Sequence, residues 1–237
     1  TSRGADGDSF DVNKWGTAEG GASAMNNLPP LWMLKYLPNM LACHVTIIHG
    51  AEGPSNTITC GESSGILCIG EGARVIERGD ADACFTGGGE SKINPMGMLR
   101  LTVGKRVADT GDAQDGSTVV RPYDPGATGG VPSESASVLM IEDAEAAERR
   151  GPGRAYAEVA GFGAGQSGVP IFPGLFDDDP GESLVDTGLR RAVRAALDDA
   201  GVSPDEVDAI VPGALGIPTA DRGEANALAE VFGDRLS

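Results

Sequence analysis

The order of strand-like and helix-like segments predicts a layered α/β fold with parallel strands. Two observations carry that expectation. From about residue 30 onward, β-branched runs bounded by glycine alternate with segments whose apolar residues recur at helical spacing. The 237 residues include 36 glycines and are 40% hydrophobic, which suits a folded, turn-rich chain and not a disordered one. No short-period repeat, heptad or low-complexity tract competes with this reading.

"HVTIIHG" (44–50) and "SNTITC" (55–60) are the first predicted strands, both β-branched and bounded by glycine or proline. In "SSGILCIGEGARVIERGD" (63–80), Ile66, Ile69, Ala73 and Ile76 recur at helical spacing, Ser63 or Ser64 can cap the start, and Gly79 closes the helix. "ADACFTGGGE" (81–90) reads as a buried strand entering a glycine turn. "ASVLMIED" (136–143) reads as another strand, followed by the short helix "AEAAERRG". "AYAEVAGFGAG" (155–165) reads as a strand ending in small residues, and 165–181 as a Pro/Gly-rich loop. The clearest amphipathic helix lies in 183–207, with Leu189, Ala192, Val193, Ala196 and Leu197 on one stripe. "DAIVPGALG" (208–216) is then expected as a buried strand leading to a turn, and "RGEANALAEVFG" (222–233) as the last helix.

Composition excludes several function classes. A formal charge of −17, from 35 acids against 18 bases, opposes nucleic-acid and anionic-membrane partners, since each phosphate contact would start from repulsion. No apolar run reaches the roughly 18–20 residues needed to cross a bilayer. Residues 1–27 are polar and glycine-rich and lack the organisation of a signal peptide, so a cytoplasmic protein is expected, with Thr1 read as a fragment edge. Cys43, Cys60, Cys68 and Cys84 form no CxxC pair and are expected as reduced thiols. With two histidines, His44 and His49, and no metal-ligand spacing, no metal site is expected.

One turn raises a chemical question. "NTITCGESSG" (56–65) reads as a strand that breaks at Gly61 and enters a helix of small residues, a shape that presents one side chain at a helix N-terminus. The side chain presented is Glu62.

That turn belongs to a longer set of motifs: "LPNMLACHVTIIHGAEGPSNTIT" (37–59), "GEGARVIERGDADACFTGGGE" (70–90), "RPYDPGATGG" (121–130), "SESASVLMIEDAEAAERRG" (133–151), "AYAEVAGFG" (155–163) and "DRGEANALAEVFG" (221–233). Their order and spacing, over about four-fifths of the chain, resemble the β-ketoacyl-ACP synthases, condensing enzymes of fatty-acid and polyketide synthesis with the thiolase fold. The resemblance implies an incomplete portion of an α-β-α-β-α layered fold. It would place a partial N-terminal half at 28–164, after the 1–27 segment, and the start of a truncated C-terminal half at 165–237. The family's further histidine, lysine and glycine-rich loop would lie past Ser237.

By the same resemblance, Asn56, Thr57, Ile58, Thr59 and Cys60 form a strand that pairs with its copy across a twofold axis. The catalytic cysteine opens the next helix, where the macrodipole and backbone N–H groups lower a thiol pKa and hold the thioester oxyanion. Alignment on "NTIT" puts Glu62 at that cysteine. Cys60, two residues earlier, is expected in core or interface packing. Gly213 stands where the family histidine would be, and Leu215 and Ile217 where two pantetheine-binding threonines would be; Asp221 and Glu224 are retained. The loop "GQSGVPIFPGLF" (165–176) lacks the histidine the family often carries there. Leu31 and Trp32, in "PPLWMLKYLP" (29–38), would line the acyl tunnel of a partner subunit, with Trp32 near its gate, or pack at an ordinary interface. His44 and His49 are expected as structural residues.

Claisen condensation needs a thiolate to hold the acyl chain and imidazole N–H groups to stabilise the enolate oxygen. A carboxylate attacking a thioester gives a mixed anhydride that water destroys, and loss of one oxyanion donor costs about 10²- to 10³-fold in rate. The resemblance therefore implies a degenerate, chain-length-factor-like subunit without a cofactor of its own, pairing with an active ketosynthase or with itself. A partner acyl carrier protein would bring the phosphopantetheine. The alternative is a malonyl- or acyl-ACP decarboxylase or acyltransferase using Glu62.

Overall fold

A computed structural model of the chain describes residues 18–19, 22–23, 31–151, 153, 155–173 and 181–233. It has two compact units, 1–61 and 62–237. The expected N-terminal segment 1–27 lies outside the described residues apart from a two-residue hairpin, β1 (Ala18–Glu19) with β2 (Ala22–Ser23).

In the first unit, a 3-10 turn at Trp32–Tyr36 precedes α1 (Met40–His49). The expected strand at 44–50 is thus a helix. Its β-branched run is preceded by the helix formers Met40, Leu41 and Ala42. The Thr46 hydroxyl donates to the Cys43 carbonyl at 3.0 Å, and Gly50, at φ 62°, stops the helix by donating its N–H to Thr46 O. Strand propensity is a preference for a pleated, half-buried surface, and no such surface is offered here. Residues 55–60, the second expected strand, carry no assigned strand either, because a strand exists only as one side of a hydrogen-bonded ladder.

The second unit is built around one helix on one ladder. α2 (Ser64–Glu77) follows a 3-10 turn at Gly61–Ser63 and packs against β3 (Ala83–Ser91), which pairs with β4 (Glu134–Glu142). That ladder is antiparallel, from Ala83 opposite Glu142 to Ser91 opposite Glu134, where parallel strands were expected; the one parallel pairing among the described residues is an isolated bridge of Val107 with Gly130. α2 turns Gly70, Gly72 and Val75 inward; of the expected stripe, Ile69, Ala73 and Ile76 are half-buried, and Ile66 at its start is 69% exposed. Glycine decides the contact. A Cβ on Gly72 would come within 2.4 Å of Thr86 Cγ2, and one on Gly70 within 2.3 Å of the Phe162 ring. β3 was expected to be buried, yet only Thr86 is buried along it.

α3 (Pro95–Val103) is capped by Asn94, whose side chain accepts from Gly97 N at 2.8 Å. α4 (Ala144–Arg150) follows β4 and is capped by Asp143 in the same way. α5 (Thr187–Ala200) runs from an Asp186 cap to Gly201 at φ 64°, and the predicted stripe from Leu189 to Leu197 is its half-buried side. α6 (Pro218–Phe232) packs on α5 and brings Ala227 and Leu228 into the core.

Residues 155–165 and 208–216, both expected as strands, carry none. Val211 is 96% exposed, which contradicts a buried strand at 208–216. The 161–165 segment instead lies on the α5 backbone. A Cβ on Gly161, Gly163 or Gly165 would approach the carbonyl oxygens of Ala196, Ala192 and Gly188 to 2.4, 2.0 and 2.2 Å. Alternate glycines therefore suited a helix surface where a ladder was expected.

This contact predicts that Gly163→Ala lowers unfolding stability by about 1–3 kcal/mol through overpacking, measured by urea denaturation. Gly168→Ala, with open space around the new methyl, is expected to leave stability nearly unchanged.

Candidate functional site

Gly61 adopts φ 59° and hands the chain into the 3-10 turn that carries Glu62 to the start of α2. Glu62 Oε1 there accepts a hydrogen bond from Arg106 Nη1. The two partners differ in surroundings. The Glu62 side chain is 47% exposed, whereas that of Arg106 is 12% exposed.

Arg106 is held from several directions. Its N–H donates to Leu101 O at 2.9 Å, closing the turn after α3, and its carbonyl accepts from Gly130 N at 2.9 Å. The guanidinium lies 5.0 Å from the Phe172 ring centre, a cation–π distance. Gly104 makes room for that ring, since a Cβ there would meet Phe172 Cδ1 at 2.6 Å. Buried Nε has no hydrogen-bond partner. Burial pushes the Glu62 carboxyl up, but the Arg106 hydrogen bond, its own backbone N–H and the charges of Arg106 and Lys92 outweigh this, so it titrates below its ordinary value of 4.5.

A second cluster surrounds the predicted histidine position. Gly213 N and Ala214 N donate to the two carboxylate oxygens of Glu224, at 2.7 and 2.9 Å, and Tyr123 OH donates to Glu224 Oε2 at 2.8 Å. Asp221, 1% exposed, accepts from Leu215 N at 2.9 Å, Gly216 N at 3.0 Å and Tyr123 N at 2.9 Å. Ala214 is held at φ 48° and Tyr123 at φ 62°, left-handed conformations that these contacts stabilise. Burial, the Glu224 hydrogen bond and the charges of Glu224 and Asp221 raise the Tyr123 phenol well above its ordinary range, so Tyr123 stays a donor.

The two clusters meet at Gly129–Gly130. A Cβ on Gly129 would come within 2.6 Å of Arg106 O, and one on Gly216 within 2.8 Å of Gly129 O. The backbone of Arg106, which holds Glu62 through its side chain, and the 213–216 turn thus approach the same glycine pair.

Of the other predicted site residues, Asn56, Thr57, Thr59, Cys60 and Leu31 are exposed, and Ile58 is half-buried. Cys60, expected in core or interface packing, is exposed in the single chain and so is not a core residue. The side chain of Trp32 lies outside the described residues. His44 and His49 are exposed on α1, and all four cysteines are free thiols. Among the described residues there is no cluster of three or more His, Cys, Asp or Glu able to hold a metal, and no helix long and apolar enough to cross a membrane.

Sequence reasoning missed Arg106, Phe172 and Tyr123. Phe172 sits in the loop searched for a histidine, and Tyr123 in a quoted motif, but their partners lie 66 and 101 residues away along the chain. No periodicity reports such pairs.

The carboxylate arrangement can accept hydrogen bonds and balance charge. It supplies no thiolate, and the only imidazoles of the chain are on α1.

Because the folded-state pKa of Glu62 is depressed, its contribution to stability is present above pH 4.5 and is lost as pH falls through the lower folded value. Wild type is therefore expected to exceed Glu62→Gln in stability near neutral pH, and the gap to close under acid, in denaturation series from pH 7 to 3.

Two family models cover the chain: Beta-ketoacyl synthase, N-terminal domain, over residues 13–147, and Beta-ketoacyl synthase, C-terminal domain, over residues 156–237. A Streptomyces coelicolor protein named as actinorhodin polyketide beta-ketoacyl synthase 2 is 35% identical over 189 residues, 80% of this chain and 43% of its own length. The 3-oxoacyl-[acyl-carrier-protein] synthase 2 of Staphylococcus aureus is 31% identical over 205 residues, 86% of this chain and 48% of its own. The chain spans about half the length of these curated relatives. Among solved structures, a ketosynthase bound to the hexaketide, in complex with its type II polyketide acyl carrier protein, superposes with TM-score 0.77 at 22% identity, over 91% of this chain and 50% of that one. The ishigamide ketosynthase/chain length factor gives TM-score 0.71 at 26% identity, over 87% and 47%. The fold is accordingly a portion of the thiolase-like ketosynthase fold, and with both family models matched in order along its length, the chain belongs to the beta-ketoacyl synthase family.

Proposed function

We propose that this chain is a non-condensing member of its family, a chain-length-factor-like subunit that pairs with an active ketosynthase in fatty-acid or polyketide-type synthesis. One observation carries the reading: at the aligned nucleophile position, Glu62 is neutralised by Arg106. A carboxylate in an ion pair is a poorer nucleophile than a free one, and any adduct it formed with a thioester would be a hydrolysable anhydride. The aligned histidine position supports the same conclusion. Gly213 has no side chain, and its N–H is committed to Glu224.

In this reading the scaffold is kept for assembly. The 56–60 stretch and the Leu31–Trp32 region serve the contact with a partner subunit, and the acyl carrier protein with its phosphopantetheine is handled by that partner. The cytoplasm is the compartment the reading implies. The division into a 28–164 half and a 165–237 half belongs to the same proposal.

A rival reading makes Glu62 a decarboxylase or acyltransferase residue. Its partial exposure favours that role, since a substrate could reach it. The Arg106 pair opposes it, because the cation would have to be displaced at each turnover.

Co-expression with candidate ketosynthases from the same genome, followed by native mass spectrometry, is expected to give a one-to-one complex with one of them; a lone monomer or homodimer with every candidate would end the proposal. Carbon dioxide release from malonyl-ACP is expected to stay at background for both wild type and Glu62→Ala, and a wild-type rate that the substitution abolishes would establish the rival.

A further inference from the structure

We propose that Arg106 and Phe172 form a carboxylate-binding clamp that Glu62 fills from within the chain, and that the clamp accepts a short free carboxylate once that side chain is removed. The inference deepens the non-condensing reading and rests on it for one point, that Glu62 has no reaction to perform.

The asymmetry of the pair carries the argument. Arg106 is the built half. Its backbone is fixed by Leu101 O on one side and Gly130 N on the other, its guanidinium lies against Phe172, and its side chain is 12% exposed. Glu62 is the replaceable half, a surface side chain 47% exposed. An arginine cannot shed its charge in a protein, so a largely buried guanidinium keeps its demand for an anion whatever supplies it. Phe172 leaves the face of the cation satisfied and Nη1 directed at the carboxylate. Lys92 adds positive charge at the same carboxylate.

The ligand class follows from the geometry. Nη1 reaches an oxygen of a carboxylate whose carbon chain enters from the α2 side, so removing the chain beyond Cβ leaves room for acetate. Binding involves no covalent step. In the natural protein the clamp is closed, and a carboxylate-bearing acyl group arriving at this position would compete with a tethered anion.

The test uses the full chain and sodium acetate. Glu62→Ala is expected to melt below wild type and to recover with acetate in a saturable manner, by about 3 °C at tenfold excess over half-saturation. Sodium chloride at equal ionic strength is expected to produce no such rise, and neither wild type nor the Glu62→Ala/Arg106→Gln double variant should respond to acetate. Absence of an acetate-specific rise in Glu62→Ala, or an equal rise in the double variant, overturns the clamp. Should Glu62→Ala fail to fold, carbon-13 NMR titration of the Glu62 carboxyl decides: its pKa is expected to rise on Arg106→Gln, and an unchanged value overturns the proposal. The non-condensing reading fails separately, by carbon dioxide release or complex formation, neither of which depends on the melting shifts.

Discussion

A buried carboxylate with three backbone donors organises this molecule. Asp221 sits in the first turn of α6, almost without solvent, and takes N–H groups from Leu215, Gly216 and Tyr123. The Gly216 N–H would otherwise be a buried donor without a partner, at a cost of about 1–3 kcal/mol, and the other two are partly shielded from water. One side chain therefore fixes the start of a helix, the turn before it and a loop 98 residues earlier in the chain. Glu224, one turn further on, repeats the device with Gly213, Ala214 and the Tyr123 hydroxyl. The turn keeps its shape through its backbone, so it needs no side chain at Gly213.

The Glu62–Arg106 pair follows a different logic. Asp221 and Glu224 satisfy dipoles, while Arg106 is a full charge that is mostly desolvated and must be balanced. The net charge of −17 has little bearing on this pair, because exposed carboxylates beyond about a Debye length are screened. What matters is the local set: one carboxylate, one guanidinium, an aromatic face and Lys92 nearby. Such an arrangement is electrostatically closed, and closure is the opposite of what a nucleophile needs.

Glycine sets how near the pieces come. Gly72 and Gly70 let α2 settle on Thr86 and Phe162, alternate glycines let 161–165 lie on α5, and Gly129 lets the 106–107 backbone approach within a bridge of Gly130. In each case a methyl group would collide with backbone, with a packed ring or, at Gly72, with the Thr86 methyl. The abundance of glycine, noted first as a sign of many turns, is in part a record of close approach between elements.

The helices α2, α4, α5 and α6 and the runs that form β3 and β4 were legible from local chemistry, whereas α3 and the antiparallel pairing of the two strands were not. The stripe from Leu189 to Leu197, the Asp186 and Gly201 ends of α5, and the β3 and β4 runs all have causes confined to a few neighbouring residues. The motifs carried more, since their order identified the family that both family models match. Local chemistry misled at 44–50, where β-branched residues became a helix, and at 155–165 and 208–216, where strand-like composition found no ladder. The sequence by itself determined which side chains occupy positions 62 and 213 and the family motifs around them, because that is a matter of identity and spacing. Only the tertiary structure decided what those positions touch: Arg106 for Glu62 and Glu224 for Gly213. The reason is that a contact across 44 residues depends on how intervening elements fold back, and no short-range pattern encodes that path.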